Sequence, residues 1–402
     1  MGSLNQSQAV QRSLLTPTAA AHATFVPTGI VTVLLGPLLP TLTSRWALND
    51  TQAGDFFFMQ FAGSTGGVAL SGVLTPRLGY RMVLVLGLLF MAAGVATLLL
   101  GSWWLGMASV AAYGFGFGLT VPTSNLLVAE ANPAGKAAAL NLLNFTWSVG
   151  AVACPFLLAP FQRSQHTSVF LFVLAGGIVL VAATLAGVSL PSVRAESGES
   201  TVGARESLGR LMSTAPAIAL AALFFVYVGT ENAVGGWLAT YAKRIASGAG
   251  TMWVTTPSFF YGGLLVGRAI APALLRRVVP VKLARVSITV ALLGVVGLLV
   301  TRSMAGVMCG ASVIGLGLAT VYPITISLLP QTFPKAAARL GSVMFALASI
   351  GGACVPWMVG FASTQRSSLQ LGLLVPLAGC GVMLGLYCLS WAQRGSDGSV
   401  AA

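Results

Sequence analysis

The sequence predicts an all-α integral membrane protein with about twelve spanning helices, arranged as two six-helix halves. Three observations carry that prediction. First, 56% of the 402 residues are hydrophobic and 7% are charged, where a soluble domain carries roughly a quarter charged residues. Second, the chain reads as a series of apolar runs of the length, about 20 residues, that a helix needs to cross a bilayer. Third, four landmarks recur at one spacing: Pro122 with Pro323, Lys136 with Lys335, Gly150 with Gly351 and Pro155 with Pro356, all 199 to 201 residues apart.

In chain order, the apolar runs predict spans over residues 19–41, 53–75, 81–101, 104–130, 136–160, 167–190, 214–241, 252–274, 282–301, 305–329, 337–361 and 368–391. The first fifteen residues lack the charged start and cleavage site of a signal peptide, so insertion through the first span is expected. Pro27, Pro37, Pro40, Pro122, Pro155, Pro323 and Pro356 fall inside spans and are candidates for kinks. The longest polar stretch, residues 191–213, reads as a cytoplasmic linker between an N-terminal bundle, 1–190, and a C-terminal bundle, 214–402. Because six spans separate the repeated landmarks, each copy keeps its direction, as in parallel repeats that rock about a shared central site.

The formal charge of +13 would suggest nucleic acid in a soluble protein. Here the basic residues sit in short gaps between apolar runs. Arg45, Arg163, Lys243, Arg244, Arg302 and Arg366 fall on one side, Arg268 within a span, and the remaining fourteen of 21 on the other side. The richer side is cytoplasmic under the positive-inside rule, which puts both termini in the cytoplasm of a cell inner membrane. Cys154, Cys309, Cys354, Cys380 and Cys388 lie in apolar runs without metal-ligand spacing, so neither a metal nor a cofactor is expected. The GFGFG run from Gly114 lies in a span without a following Lys, which argues against a nucleotide loop and against an enzyme.

Eight acidic residues can be taken one at a time. Asp50 and Asp55 flank the start of the second span, Glu130 ends the fourth, Glu196, Glu199 and Glu206 lie in the linker, and Asp397 is in the tail. Glu231 falls well inside a span. An intramembrane carboxylate is costly and marks a functional site by default, so Glu231 is the candidate for proton coupling. Arg268, also intramembrane, is expected to act in gating and to pair near Glu130 or with loop-level charge. Amides and aromatic rings suit the hydroxyls and apolar ring face of a sugar. Asn141, Asn144 and Trp147 share a region of the fifth span, and Tyr227, Asn232 and Trp237 surround Glu231 on the seventh. Gln60, Asn125, Tyr261, Tyr322 and Trp357 complete the set expected to bind substrate. Amides also bridge helices inside membranes, and Trp237 and Tyr241 also read as interfacial anchors.

At this point the chain resembles the major facilitator superfamily along essentially its whole length. The family's loop between helices 2 and 3 is matched by GVLTPRLGYR from Gly72, in which Arg77, Gly79 and Arg81 fit and Pro76 replaces the usual Asp. The resemblance implies gating roles for Arg77 and Arg81. A finer resemblance is to the fucose and glucose proton symporters. It rests on Asn125, the turn at 132–136, LNLLNFTWSVGA from Leu140, and YVGTENAVGGWLATY from Tyr227. It departs at Val121, where the fucose carrier has a proton-binding Glu. The expectation is therefore a monomeric secondary carrier in membrane lipid, importing a hexose or related neutral sugar with protons by alternating access. A proton-driven efflux pump for lipophilic compounds, kept open by Phe56, Phe57, Phe58, Phe259 and Phe260, and a sugar uniporter are the alternatives.

Overall fold

The computed structural model describes residues 16–191, 208–245, 250–334 and 336–389, so Arg12, Arg194, Arg205, Lys335, Arg394, Glu196, Glu199, Glu206 and Asp397 lie outside the described residues, as does most of the 191–213 linker. The described chain is helical throughout: α1 (Pro17–Val33), α2 (Leu35–Trp46), α3 (Asp50–Thr97), α4 (Trp103–Ala131), α5 (Lys136–Arg163), α6 (Thr167–Ala186), α7 (Leu208–Met212), α8 (Ala215–Ile245), α9 (Thr256–Leu275), α10 (Pro280–Val300), α11 (Met304–Leu318), α12 (Val321–Thr332), α13 (Ala337–Arg366), α14 (Leu369–Gly372) and α15 (Leu374–Cys388). Among the described residues, ten helical stretches are long and apolar enough to cross a bilayer, and α1 with α2, bent by 42°, makes one further candidate. Multiple membrane spans are thus established.

Local chemistry explains the boundaries. Helix α3 starts at a capping box in which the Asn49 side chain accepts from the Gln52 backbone and the Gln52 side chain accepts from the Asn49 backbone. At 48 residues and about 1.5 Å per residue, α3 would be roughly twice the length that about 30 Å of hydrocarbon accommodates. It breaks at Gly79, whose φ of 77° lies where a side chain is strained. Both limbs of α3 then lie against α4: Gly63 faces the Ala111 carbonyl and Gly67 that of Phe115, while Gly87 faces Gly116 and Gly94 faces Ser109.

The prolines split into two groups. Pro37 cannot donate to the Val33 carbonyl, and the chain bends between α1 and α2 at that level. Pro323 likewise leaves Ala319 without its helical donor, where α11 gives way to α12. Pro27, Pro40, Pro122, Pro155 and Pro356 instead sit within helices that continue past them.

Close approach at small residues sets the packing, as expected where lipid removes any hydrophobic drive between helices. A Cβ on Gly29 would lie 2.1 Å from the Trp147 carbonyl oxygen, and one on Gly351 would lie 2.0 Å from that of Phe225. The repeat seen in four landmarks extends through these seams. Gly63 meets Ala111 and Gly263 meets Ser312; Gly114 meets Gln60 and Gly315 meets Phe260; Gly150 meets Val26 and Gly351 meets Phe225.

Candidate functional site

Two carboxylates anchor separate parts of the molecule. In the first part, α8 carries Glu231 one turn beyond Tyr227, and α9 carries Arg268. Arg268 Nη2 lies 3.7 Å from Glu231 Oε1, with the two side chains 28% and 15% exposed. This corrects the sequence expectation for Arg268: its partner is the intramembrane Glu231, not Glu130 or a loop charge. Neutralising one buried charge with the other removes much of the cost of placing either in a low-dielectric interior. Tyr227 is buried, donates its hydroxyl to the Leu318 carbonyl at 3.1 Å, and stacks on Tyr322 with centroids 5.2 Å apart. Tyr322 in turn meets Phe224 edge to face. An aromatic wall therefore stands beside the ion pair.

The amides that the sequence offered for substrate differ in how they are engaged. Asn125, Asn144 and Asn232 each donate to the carbonyl four residues earlier on their own helix, at 2.9, 2.9 and 2.8 Å. Each side-chain carbonyl is left to accept from something else. Asn141 and Asn144 are exposed on α5, and Asn125, Asn232 and Trp147 are half-buried. Trp147 meets Tyr261 edge to face at 6.5 Å, which joins α5 to α9. Gln60, by contrast, is buried and engaged at both ends: it donates to the Thr32 carbonyl at 2.9 Å and accepts from Tyr113 at 3.2 Å. Trp237 is also fully buried and donates to the Pro356 carbonyl at 2.8 Å, while Tyr241 donates to that of Leu298 at 2.9 Å. Neither of these two rings is the interfacial anchor that sequence allowed.

The second part was not anticipated. At the end of the bundle that carries the α2–α3 turn, α3 is fastened to α8 and α13. Arg244, in the last turn of α8, donates to both oxygens of Asp50 at 2.8 and 2.5 Å, and the Ser363 hydroxyl donates to the same carboxylate. The Thr51 backbone donates to Thr364 at 2.9 Å, and the Trp357 indole donates to Asp55 at 2.9 Å. Phe57 packs on Trp237 and against Gly236, Phe61 against Gly352, and Gly360 leaves room for the Asp50 carbonyl. We call this end the latch. A bidentate guanidinium-carboxylate pair is the strong form of the interaction, and Asp50 also sits in the first turn of α3, where the helix dipole favours an anion. The signal was available in the sequence: Asp50 and Arg244 are opposite charges assigned to the same side of the membrane. Trp357, expected beside substrate, belongs to this seam. Arg77 and Arg81 are exposed on either side of the Gly79 break, far along α3 from the latch.

Comparison with known proteins places this geometry. The model of the Major Facilitator Superfamily matches residues 23–356. The glucose/mannose transporter GlcP of Bacillus subtilis is 23% identical over 377 residues, covering 89% of this chain and 90% of its own. A glucose/galactose transporter of Brucella abortus is 26% identical over 386 residues, covering 90% of each. Among solved structures, a point variant of the E. coli fucose:proton symporter FucP superposes with a TM-score of 0.61 at 19% identity, covering 94% of this chain and 98% of that one.

Proposed function

Because the chain belongs to the major facilitator superfamily, and is thus a membrane transporter and not an enzyme, we propose that it imports a neutral hexose together with protons by alternating access. The observation that carries this reading is the site itself. While Glu231 is ionised its charge is matched by the Arg268 guanidinium, so the pair carries no net charge to draw an ionic substrate, and Asn125, Asn144 and Asn232 each keep a side-chain carbonyl to accept from a hydroxyl. Amide acceptors fit sugar hydroxyls, and rings such as Tyr322 and Trp147 fit the apolar face of a pyranose. Relatives named as glucose, mannose or galactose transporters, similar along about nine-tenths of the chain, support the same substrate class.

In this reading Gly79 divides α3 into two spans, which with the bent α1–α2 pair gives twelve, six in residues 1–190 and six in residues 214–402, joined by the 191–213 linker. Both termini and the basic loops around Arg77, Arg81, Lys136, Arg276 and Arg277 face the cytoplasm. The latch then faces outward, and the conformation described is closed toward the outside. Protons act on Glu231: an added proton releases Arg268 from its partner, and the freed guanidinium is available to a substrate hydroxyl. Asn141, Asn144, Trp147, Tyr261 and Asn125 contribute from α4, α5 and α9, and Asn232, Tyr227 and Tyr322 from the opposite wall. Gln60, Trp237 and Trp357 are engaged with other protein groups in this conformation and reach substrate only when the halves move. Arg77 and Arg81 gate the cytoplasmic end, and the working unit is a monomer.

Uptake of radiolabelled glucose, galactose and fucose into proteoliposomes, with and without an imposed inward proton gradient, tests the proposal. Gradient-stimulated accumulation that Glu231→Gln abolishes is the expected result. Equilibration indifferent to the gradient would make the protein a uniporter, and failure to move any of the three sugars would sink the substrate assignment.

A further inference from the structure

Four of the eight acidic residues lie in the described helices: Asp50, Asp55, Glu130 and Glu231. Their surroundings differ in kind. Asp50 is held by the Arg244 guanidinium and the Ser363 hydroxyl, with every oxygen engaged by a donor. Glu231 has Arg268 opposite it. Glu130 ends α4. Asp55 is different: it is half-buried in α3 more than a turn beyond Asp50, and it accepts from the neutral indole of Trp357 on α13.

The groups around Asp55 contain no counter-ion for it. From α13 the seam presents Trp357, Ser363 and Thr364, with Arg366 exposed at the helix end; on α8 Arg244 is committed to Asp50, Lys243 lies over the Trp253 ring and Tyr241 is bonded to the Leu298 carbonyl; on α2 Arg45 is exposed. Among the described residues no ion pair includes Asp55. Its neighbours along α3 are apolar or small: Gly54 rests on Trp357, Phe56 stacks on Trp46 and Phe57 meets Trp237 at a tilt.

We propose that Asp55 is a proton-binding site of the latch, and that the latch closes over it when it is protonated. Closing α3 against α13 moves this carboxyl from water to a seam that supplies one neutral donor. A carboxylate there is left with an uncompensated charge, whereas a carboxylic acid keeps the indole bond through its carbonyl oxygen and carries no charge to desolvate. Trp357 can make its bond only when the seam is shut, so protonation and closure are linked. The sign follows directly: the closed form binds the extra proton, so its population falls as pH rises. This inference rests on the proton-coupled reading above, and it adds a second acid to Glu231 with a separate task, sensing the outer proton supply.

The test pairs a distance with a transport assay. Spin labels at Ser44→Cys and Arg366→Cys, on either side of the latch, are placed in a background whose native cysteines are replaced and which retains sugar counterflow. Between about pH 5 and pH 8 the label separation should lengthen in the parent protein and remain short in Asp55→Asn. Asp55→Asn should also keep counterflow, which shows that it is folded and binds sugar, while losing most gradient-driven accumulation; Asp55→Glu should recover part of it. If Asp55→Asn accumulates sugar as the parent does, or keeps the pH-dependent lengthening, the assignment is overturned and the coupled reading stands. If the parent neither accumulates sugar under a gradient nor changes separation with pH, both fall.

Discussion

The two copies of the repeat agree in their seams and disagree in their chemistry. Gly63 and Gly263, Gly94 and Gly294, and Gly150 and Gly351 each occupy a close approach that recurs 200 or 201 residues later. At the same offsets the site residues have no equivalents. Glu231 and Arg268 correspond to Val31 and Val68, and Tyr322 to Val121. On the other side, Asn125 corresponds to Ile326, Asn144 to Phe345 and Gln60 to Phe260. The second copy therefore holds the ion pair and the first holds most of the amides. Backbone approach admits so few residue types that both copies had to retain glycine, whereas side chains facing the interior were free to diverge.

The comparison can be broken most severely at the seams. Gly63→Val and Gly263→Val each place a Cβ within 2.1 and 2.3 Å of a carbonyl oxygen, and each should cost about 3 kcal/mol or more. Yield of monodisperse protein and thermal unfolding in detergent would read this, and a seam that tolerates the change in one copy alone would end the equivalence.

A smaller effect is expected at the ion pair. Arg268→Ala should abolish transport and cost about 2 kcal/mol, less than the ~3–5 for a fully buried pair, because both side chains retain some exposure. The combined Glu231→Gln, Arg268→Gln variant should recover most of the stability without the transport. Val68→Ala, the counterpart in the first copy, should leave transport intact.

Smaller again is the amide wall. Losing one substrate hydrogen bond by Asn144→Ala should raise the KM for sugar by about fivefold, in line with roughly 1 kcal/mol per bond. Phe345→Leu, at the matching place in the second copy, should keep KM within about twofold of the parent.

The latch is the smallest perturbation to stability. Arg244→Gln should cost about 1 kcal/mol, since the Arg244 side chain is 45% exposed and solvent screens the pair. Its effect should appear instead as a longer separation between labels across the α2–α3 turn and the end of α13.

Much of the fold was legible because membrane spans are written in composition: several predicted runs match one helix to within a few residues, as 104–130 does Trp103–Ala131, whereas 53–75 and 81–101 fall together in α3 and 19–41 is divided between α1 and α2. The break at Gly79 was visible as a gap between runs. The bend between α1 and α2 was signalled by Pro37, but the same signal at Pro122 and Pro155 falls where α4 and α5 run on without interruption, since a proline shows where a donor is lost and not whether the helix ends there. The site was only partly legible. Glu231 stood out as a lone intramembrane acid, yet its partner Arg268 lies 37 positions away on the next helix, and no local spacing links them. Asp55 was read as a flanking charge because its position in the seam depends on Trp357, some 300 residues on.

The bend between α1 and α2 has a mechanical meaning. Below it, α1 is tied to its own copy, with Gly29 on Trp147, His22 bonded to Thr146 and Thr24 to Ser124. Above it, Gly36 presses on the backbone of Gly235 and Gly236 in the other copy. One stretch of chain thus serves two masters, and a rotation of one copy against the other would have to pass through the 42° elbow that joins them. Stiffening that elbow should leave both arms folded and every binding residue in place, yet stop the stroke.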